Sequence, residues 1–286
     1  MLQALISGVL LGSVYGLFSM GFSLAFGVMR IVNFAHGELV MMGMFVGLIA
    51  SQQLGVDPLV AMPLAVIIVG AASACLYLFV FRRFVGKATL QQLLAAIAVA
   101  LVLQTIASLV FGPSAHAVRS NWGSQYVLIG HIFLSYAQLA AFGISLICVA
   151  AVELVLRGTS WGKSIRAIAD DPEAAQLVGL NAHFINVSAF AAAGALAGIA
   201  GSVLVSYYPV NPHVGFALMP IALIATVLGG LGSVGGAFIG GIICGIVQQV
   251  TSVLWTSALQ DVPLYIILIL LLAFRPYGLF GRKSSH

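Results

Sequence analysis

Charge is what this chain has least of. Of its 286 residues only 11 are Lys or Arg and 7 are Asp or Glu. A soluble domain carries about a quarter of its residues as charges, so a wetted surface is excluded. Cysteine is nearly as scarce. Cys75, Cys148 and Cys244 all fall inside apolar stretches, which fits small buried residues and neither a disulfide framework nor a metal set. No second His, Cys or Asp lies near His36 to complete a tetrahedral metal site. The glycine-rich run 229–236 has no lysine at Walker spacing, so a phosphate loop is a poor reading of it. Ser7, Ser13, Ser19 and Ser23 line the first apolar stretch without an adjacent base, and no catalytic centre stands out. The basic residues are dispersed rather than clustered, which gives no sign of a nucleic-acid surface.

What the chain has is hydrocarbon. The apolar class makes up 62% of it, beside 32 glycines. A membrane core of ~30 Å takes roughly 20 helical residues to cross. The apolar runs predict spans at 4–28, 31–50, 60–81, 91–111, 133–156, 183–205, 216–229, 237–254 and 262–274. The seventh and ninth are short. Continuous apolar runs exclude a barrel, which would need alternation. The expected fold is an all-α, polytopic integral membrane bundle of about eight to nine spans, a single transmembrane domain over 1–286. The first stretch lacks a basic leader and a polar cleavage zone, so it reads as a permanent helix rather than a signal peptide.

Nine spans put Arg30, Arg82, Arg83, Lys87, Arg157, Lys163, Arg166, Arg275, Arg282 and Lys283 on one side and only Arg119 on the other. The positive-inside rule then places the N-terminus outside and the C-terminus in the cytoplasm. The longest outer connections are about 112–131, with Pro113, Asn121, Trp122, Gly123 and Gln125, and about 206–215.

Gly8, Gly12 and Gly16 repeat every four residues, and so do Gly232, Gly236 and Gly240; Gly241 and Gly245 extend a neighbouring stripe. Small residues at that interval let helix backbones approach closely in lipid. Close static packing and sliding surfaces are both open readings. Asn33, His36, Gly37 and Glu38 open the second span, with Glu38 about 12 Å along a helix from Arg30. A carboxylate at that depth faces protein or a watery cavity. Either it caps or braces a neighbouring helix, with Asn33 beginning the span as a cap, or the group belongs to a pathway or gate; His36 lies on a different face. Gln104, Thr105, Gln248 and Gln249 are polar groups that bond across helices or face a solute.

One polar island interrupts this chain. Arg166, Asp170, Asp171 and Glu173 sit in the connection 157–182. Asp170-Asp171-Pro172-Glu173 has the marks of a helix start: an Asp cap, proline in the first turn and a carboxylate at the positive end. Gly179 suits its end. A short amphipathic helix flanked by Lys163 and Arg166 is predicted, a docking surface for a soluble partner; a mere solvated loop is the plain alternative.

Glu173-Ala174-Ala175 followed by Gly179 resembles the EAA loop of ABC importer permeases. Residues 31–38 (IVNFAHGE), 166–170 (RAIAD), 229–236 (GGLGSVGG) and 274–281 (FRPYGLFG), in that order, resemble the branched-chain amino acid permease family, in its LivH-type branch. The resemblance covers essentially the whole chain, although the longer EAA pattern of other importers does not continue after Gly179. It implies a transport subunit rather than an enzyme, in the bacterial inner membrane. Expected partners are a second homologous permease subunit, identical or not, two ABC ATPase subunits that carry ATP and Mg, a periplasmic substrate-binding protein, and lipid. Asp170, Glu173, Ala174, Ala175 and Gly179 would lie in the ATPase-coupling region. A urea or short-chain amide permease shares these blocks. A secondary transporter or channel working alone, or a purely structural subunit, are rivals of other classes.

Overall fold

A computed structural model describes residues 1–118, 125–129, 132–275 and 278–279. Arg119, Asn121, Trp122, Gly123, Arg282, Lys283 and much of the 274–281 block lie outside the described residues. The helices are α1 (Leu2–Met29), α2 (His36–Gln53), α3 (Met62–Phe79), α4 (Thr89–Phe111), α5 (Tyr136–Gly158), α6 (Ser160–Asp170), α7 (Pro172–Leu177), α8 (Ala182–Leu204), α9 (Val214–Gly229), α10 (Val234–Leu254) and α11 (Val262–Phe274). Among the described residues six helices are long and apolar enough to cross a membrane: α1, α3 with its following turn, α4, α5, α8 and α10. α9 and α11 are shorter apolar helices. The chain is a polytopic helical membrane protein.

The all-α expectation holds for the membrane body and fails in the connection before α5. Tyr126–Ile129 (β1) and Ile132–Ser135 (β2) pair antiparallel, so α5 begins at Tyr136 and not at 133. The hairpin is held to α1 by Gln3, whose amide donates to the Phe133 carbonyl (2.7 Å) and accepts from the Phe133 N–H (2.9 Å). His116 and Val210 exchange backbone hydrogen bonds and join the connection after α4 to the one before α9.

α1 is the hub of the bundle. It packs most extensively on α10, and also on α8, α9 and α5; α3 and α2 both pack on α8. Glycine sets these distances. A Cβ at Gly8 or Gly12 would lie 2.7 Å from the Cα of Ile246 or Ile242, and one at Gly241 would collide with Gly16. α10 therefore carries two small faces. Gly241 and Gly245 meet α1, while Gly236 and Gly240 meet α9 at Gly229 and Ala225. The expected stripe through Gly232 needs correction. Gly232 lies in the turn before α10 with φ +84, against Gly27, and shares no helical face with Gly236.

Two further expectations are corrected. The second span does not begin at residue 31. Arg30 ends α1 in the left-handed region (φ 54), and the chain from Ile31 to Ala35 is not helical. Asn33 consequently caps nothing; its Oδ1 accepts from the Ala35 N–H (3.0 Å) and stabilises a turn. The connection 157–182 holds two helices where one was expected. Thr159 caps α6 and Asn181 caps α8, each side chain accepting from a backbone N–H of the first turn.

Candidate functional site: a buried carboxylate where two helices begin

The non-helical segment 31–35 lets α2 begin inside the bundle. His36 Nε2 donates to the Phe18 carbonyl (2.8 Å), and its ring also lies against Gly21. These residues stand eight to eleven positions before the end of α1 at Met29, roughly 12–17 Å along the helix axis. That is mid-depth for a ~30 Å core. α9 also starts here. Gly215 packs on Gly37 and on the Glu38 carboxylate, and a side chain at either glycine would collide with the facing backbone. Helices that begin within the membrane offer positive ends to whatever lies between them.

Glu38 lies in the first turn of α2, where that positive end favours an anion. It is 1% exposed, and its Oε2 has no hydrogen-bond partner. It borders a cavity of about 20 Å³ whose walls are Phe34, Ile97, Ala100, Leu101, Gln104 and Phe216. Gln104 donates from Nε2 to His213 Nδ1 (2.7 Å), which ties α4 to the residue before α9. Gly37 thus seats α2 on α9 and Glu38 borders a mostly apolar pocket, whereas His36 braces α1 and Asn33 braces its own turn. Of the other polar candidates, Thr105 bonds back to the Leu101 carbonyl. Gln248 lies between Tyr15 (2.7 Å) and Asp261 (2.6 Å) as a structural bridge.

His213, Gly215 and Phe216 escaped the sequence reading, which placed the first two in a loop. The available signal was the shortness of the seventh span, the mark of a helix that starts partway through the membrane.

A second cluster lies at the basic end of the bundle. In α7, Asp171 Oδ1 accepts from the Glu173 and Ala174 N–H groups (both 3.0 Å), with Pro172 at the first helical position. Gly179 (φ +86) closes α7 in a Schellman turn: Leu180 N–H donates to the Ala175 carbonyl and Gly179 N–H to that of Gln176 (both 3.0 Å). Ala175 is buried and Glu173 and Ala174 are exposed. Asp170 is the last residue of α6 and serves in no cap. Leu177 and Val178 are 90% and 78% exposed, a signal the sequence reading passed over.

The two clusters are joined. Arg30, at the foot of the 31–35 segment, donates to the Ala169 carbonyl at the end of α6 (3.4 Å). Arg166 on α6 donates to the Leu156 carbonyl of α5. Around them a cleft of about 600 Å³ opens between α1, α5, α6 and the turn before α10, lined in part by Glu153, Arg157 and Asp170. Arg157 pairs with Glu153 (2.7 Å) on the exposed side of α5.

A polytopic bundle with a buried, unpartnered carboxylate at mid-depth and an exposed helix at one end suits a transport subunit. Residues 4–272 match the family described as branched-chain amino acid transport system, permease component, and the chain belongs to that family. It is 32% identical to the high-affinity branched-chain amino acid transport system permease protein LivH of Escherichia coli K12, over 99% of this chain and 96% of that one. Against the permease protein BraD of Pseudomonas aeruginosa, identity is 30% over 99% and 96% of the two chains. A probable branched-chain amino acid transport permease protein LivH of Methanocaldococcus jannaschii is 26% identical over 93% of this chain and 88% of its own. No solved structure matches the chain. These relatives are transport components and not enzymes, and the chain is a multi-pass permease of the inner membrane.

Proposed function

We propose that this chain is the permease subunit of an ATP-driven importer of branched-chain amino acids. It is one domain over 1–286 of eight to nine spans, its N-terminus outside and its C-terminus in the cytoplasm. It works with a second permease subunit, two ATPase subunits that bind ATP and Mg, and a periplasmic binding protein that delivers the solute. The chain itself holds no cofactor.

The observation that carries the coupling half of this reading is α7. A six-residue helix, capped at both ends, presents Glu173, Ala174, Leu177 and Val178 outside the membrane body. Apolar side chains so exposed beside Glu173, at an end rich in Arg and Lys, suit the groove of a soluble partner. Asp170, Glu173, Ala174, Ala175 and Gly179 belong to this region. Gly179 supplies the left-handed turn and Ala175 seats the helix on the bundle. ATP-driven closure of the partners would displace α6 and α7. The Arg30–Ala169 contact carries that displacement to the foot of the 31–35 segment, whose other end holds Glu38. Asn33, His36, Gly37 and Glu38 then form the moving junction of the pathway, with the glycine seams as its supports.

The test is Glu173→Arg in the importer reconstituted in liposomes. The variant is expected in the membrane at normal levels, with binding-protein stimulation of ATPase activity abolished. Normal stimulation would remove α7 from the coupling region. Solute uptake by the wild-type importer decides between leucine and urea, and uptake without ATPase subunits would point to a transporter working alone.

A further inference from the structure

We propose that the cavity beside Glu38 is a transit site for the ammonium group of the transported solute, a claim that rests on the reading of residues 33–38 as part of the pathway. The observations concern this pocket alone. Glu38 is almost wholly buried, its Oε2 has no partner and lies against Gly215, and the residue borders a cavity of about 20 Å³. Space for about one water-sized sphere begins at roughly 10–15 Å³, so this cavity admits one small polar group and no more. A carboxylate is an acceptor only. A buried carboxylate is stable when paired, so the missing ligand is a donor and is best a cation.

The walls favour an ammonium over a metal ion. Phe34 and Phe216 give two aromatic rings, and a cation held over such a face is attracted by its quadrupole. A hard metal ion would need several oxygen ligands, and the described residues gather no group of three His, Cys, Asp or Glu. Pro220 inside α9 has no N–H for the carbonyl four residues earlier, that of Phe216, which leaves a second acceptor on a residue of the wall. Ile97, Ala100 and Leu101 of α4 complete the lining. An aliphatic side chain attached to the ammonium would lie against them without loss. Urea and other neutral amides carry no charge for Glu38 to pair. The pocket therefore selects amino solutes within the permease, separately from whatever the binding protein selects.

Thermal unfolding of the assembled importer, purified without its binding protein, tests this with three probes. These are 3-methylbutylamine, which is leucine without its carboxylate, 4-methylpentanoate, which is leucine without its ammonium, and urea. The amine is expected to raise the unfolding temperature of the wild type, and the acid and urea to leave it unchanged. In Glu38→Gln the protection by the amine should disappear, and leucine uptake should fall about tenfold or more, the equivalent of one hydrogen bond to a charged group. Glu38→Asp withdraws the carboxylate by one methylene and should need several times more amine for the same protection. It decides the matter if Glu38→Gln fails to fold. Equal protection by the acid or by urea, protection retained in Glu38→Gln, protection by the amine undiminished in Glu38→Asp, or no protection by the amine overturns the assignment. Wild-type leucine uptake separates the failures: uptake without amine protection removes this site alone, and uptake of urea in place of leucine removes the substrate reading above.

Discussion

Two of the places where this molecule brings helix backbones together through glycine are built to opposite ends. At the seam of α1 and α10, Gly8, Gly12 and Gly16 interlock with Gly241 and Gly245 against main chain and apolar side chains, and the polar pair Tyr15 and Gln248 across it is hydrogen-bonded. At the junction of α2 and α9, Gly37 and Gly215 make an equally close approach, and the Glu38 carboxylate is held in it without a partner. In lipid, where packing rather than hydrophobicity drives helix association, the first arrangement satisfies every requirement of a scaffold. The second leaves one unmet, a buried carboxyl group without a partner, and ionisable groups inside a membrane mark functional positions. Glycine spacing alone does not tell a seam from a site; the unpartnered polar group trapped beside it does.

The largest effect is expected at the seam. A side chain at Gly241 would collide with the main chain around Gly16, which no rotamer change relieves. Overpacking of a tight core costs about 1–3 kcal/mol and more where the backbone must part. Gly241→Leu should therefore abolish accumulation in the membrane, read by size-exclusion of a fluorescent fusion. A well-folded Gly241→Leu variant would show that α1 and α10 slide or separate readily, and the contrast with the junction would vanish.

At the junction the balance is expected to reverse. A Cβ at Gly215 meets the Glu38 carboxylate, the movable end of a side chain, as well as the Gly37 main chain. Gly215→Ala should leave more folded protein in the membrane than Gly241→Leu does, and lower leucine uptake by about tenfold, as expected for loss of one charged contact. Equal loss of folding at both positions would mean that the junction is only another seam.

How much of this was legible before the structure follows from the range of the interactions. The apolar helices declare themselves through composition, and the α7 cap and its terminating glycine are contacts between near neighbours in sequence. Both were read correctly because the physics is local. The start of α2 was misread by five residues. An apolar run looks the same helical or extended, and what stops the helix is a left-handed Arg30 and an Asn33 side chain bonded two residues on. The pairing of β1 with β2 was missed since its anchor, Gln3, lies 130 residues earlier in the chain than Phe133. The Glu38 pocket was half legible. Its depth flagged the carboxylate, but Gln104, His213, Gly215 and Phe216 come from two other helices, and no periodicity in one helix reports a meeting of three.

The smallest expected effect concerns the cap of α7, and it sharpens the contrast between a membrane interior fixed by packing and a surface helix fixed by hydrogen bonds. Replacing Asp171 by Ala removes the acceptor for the Glu173 and Ala174 N–H groups, at a cost of about 1 kcal/mol. α7 has few other supports, since Ala175 is its buried residue. Amide hydrogen exchange over residues 172–178 should quicken by about fivefold, the equivalent of that energy, and ATPase stimulation should weaken without vanishing. Asp171→Asn keeps an acceptor oxygen in the same place and should behave as the wild type in both measurements. If Asn proves as damaging as Ala, the charge of Asp171 matters to the partner directly, and the residue belongs to the docking surface and not to the cap.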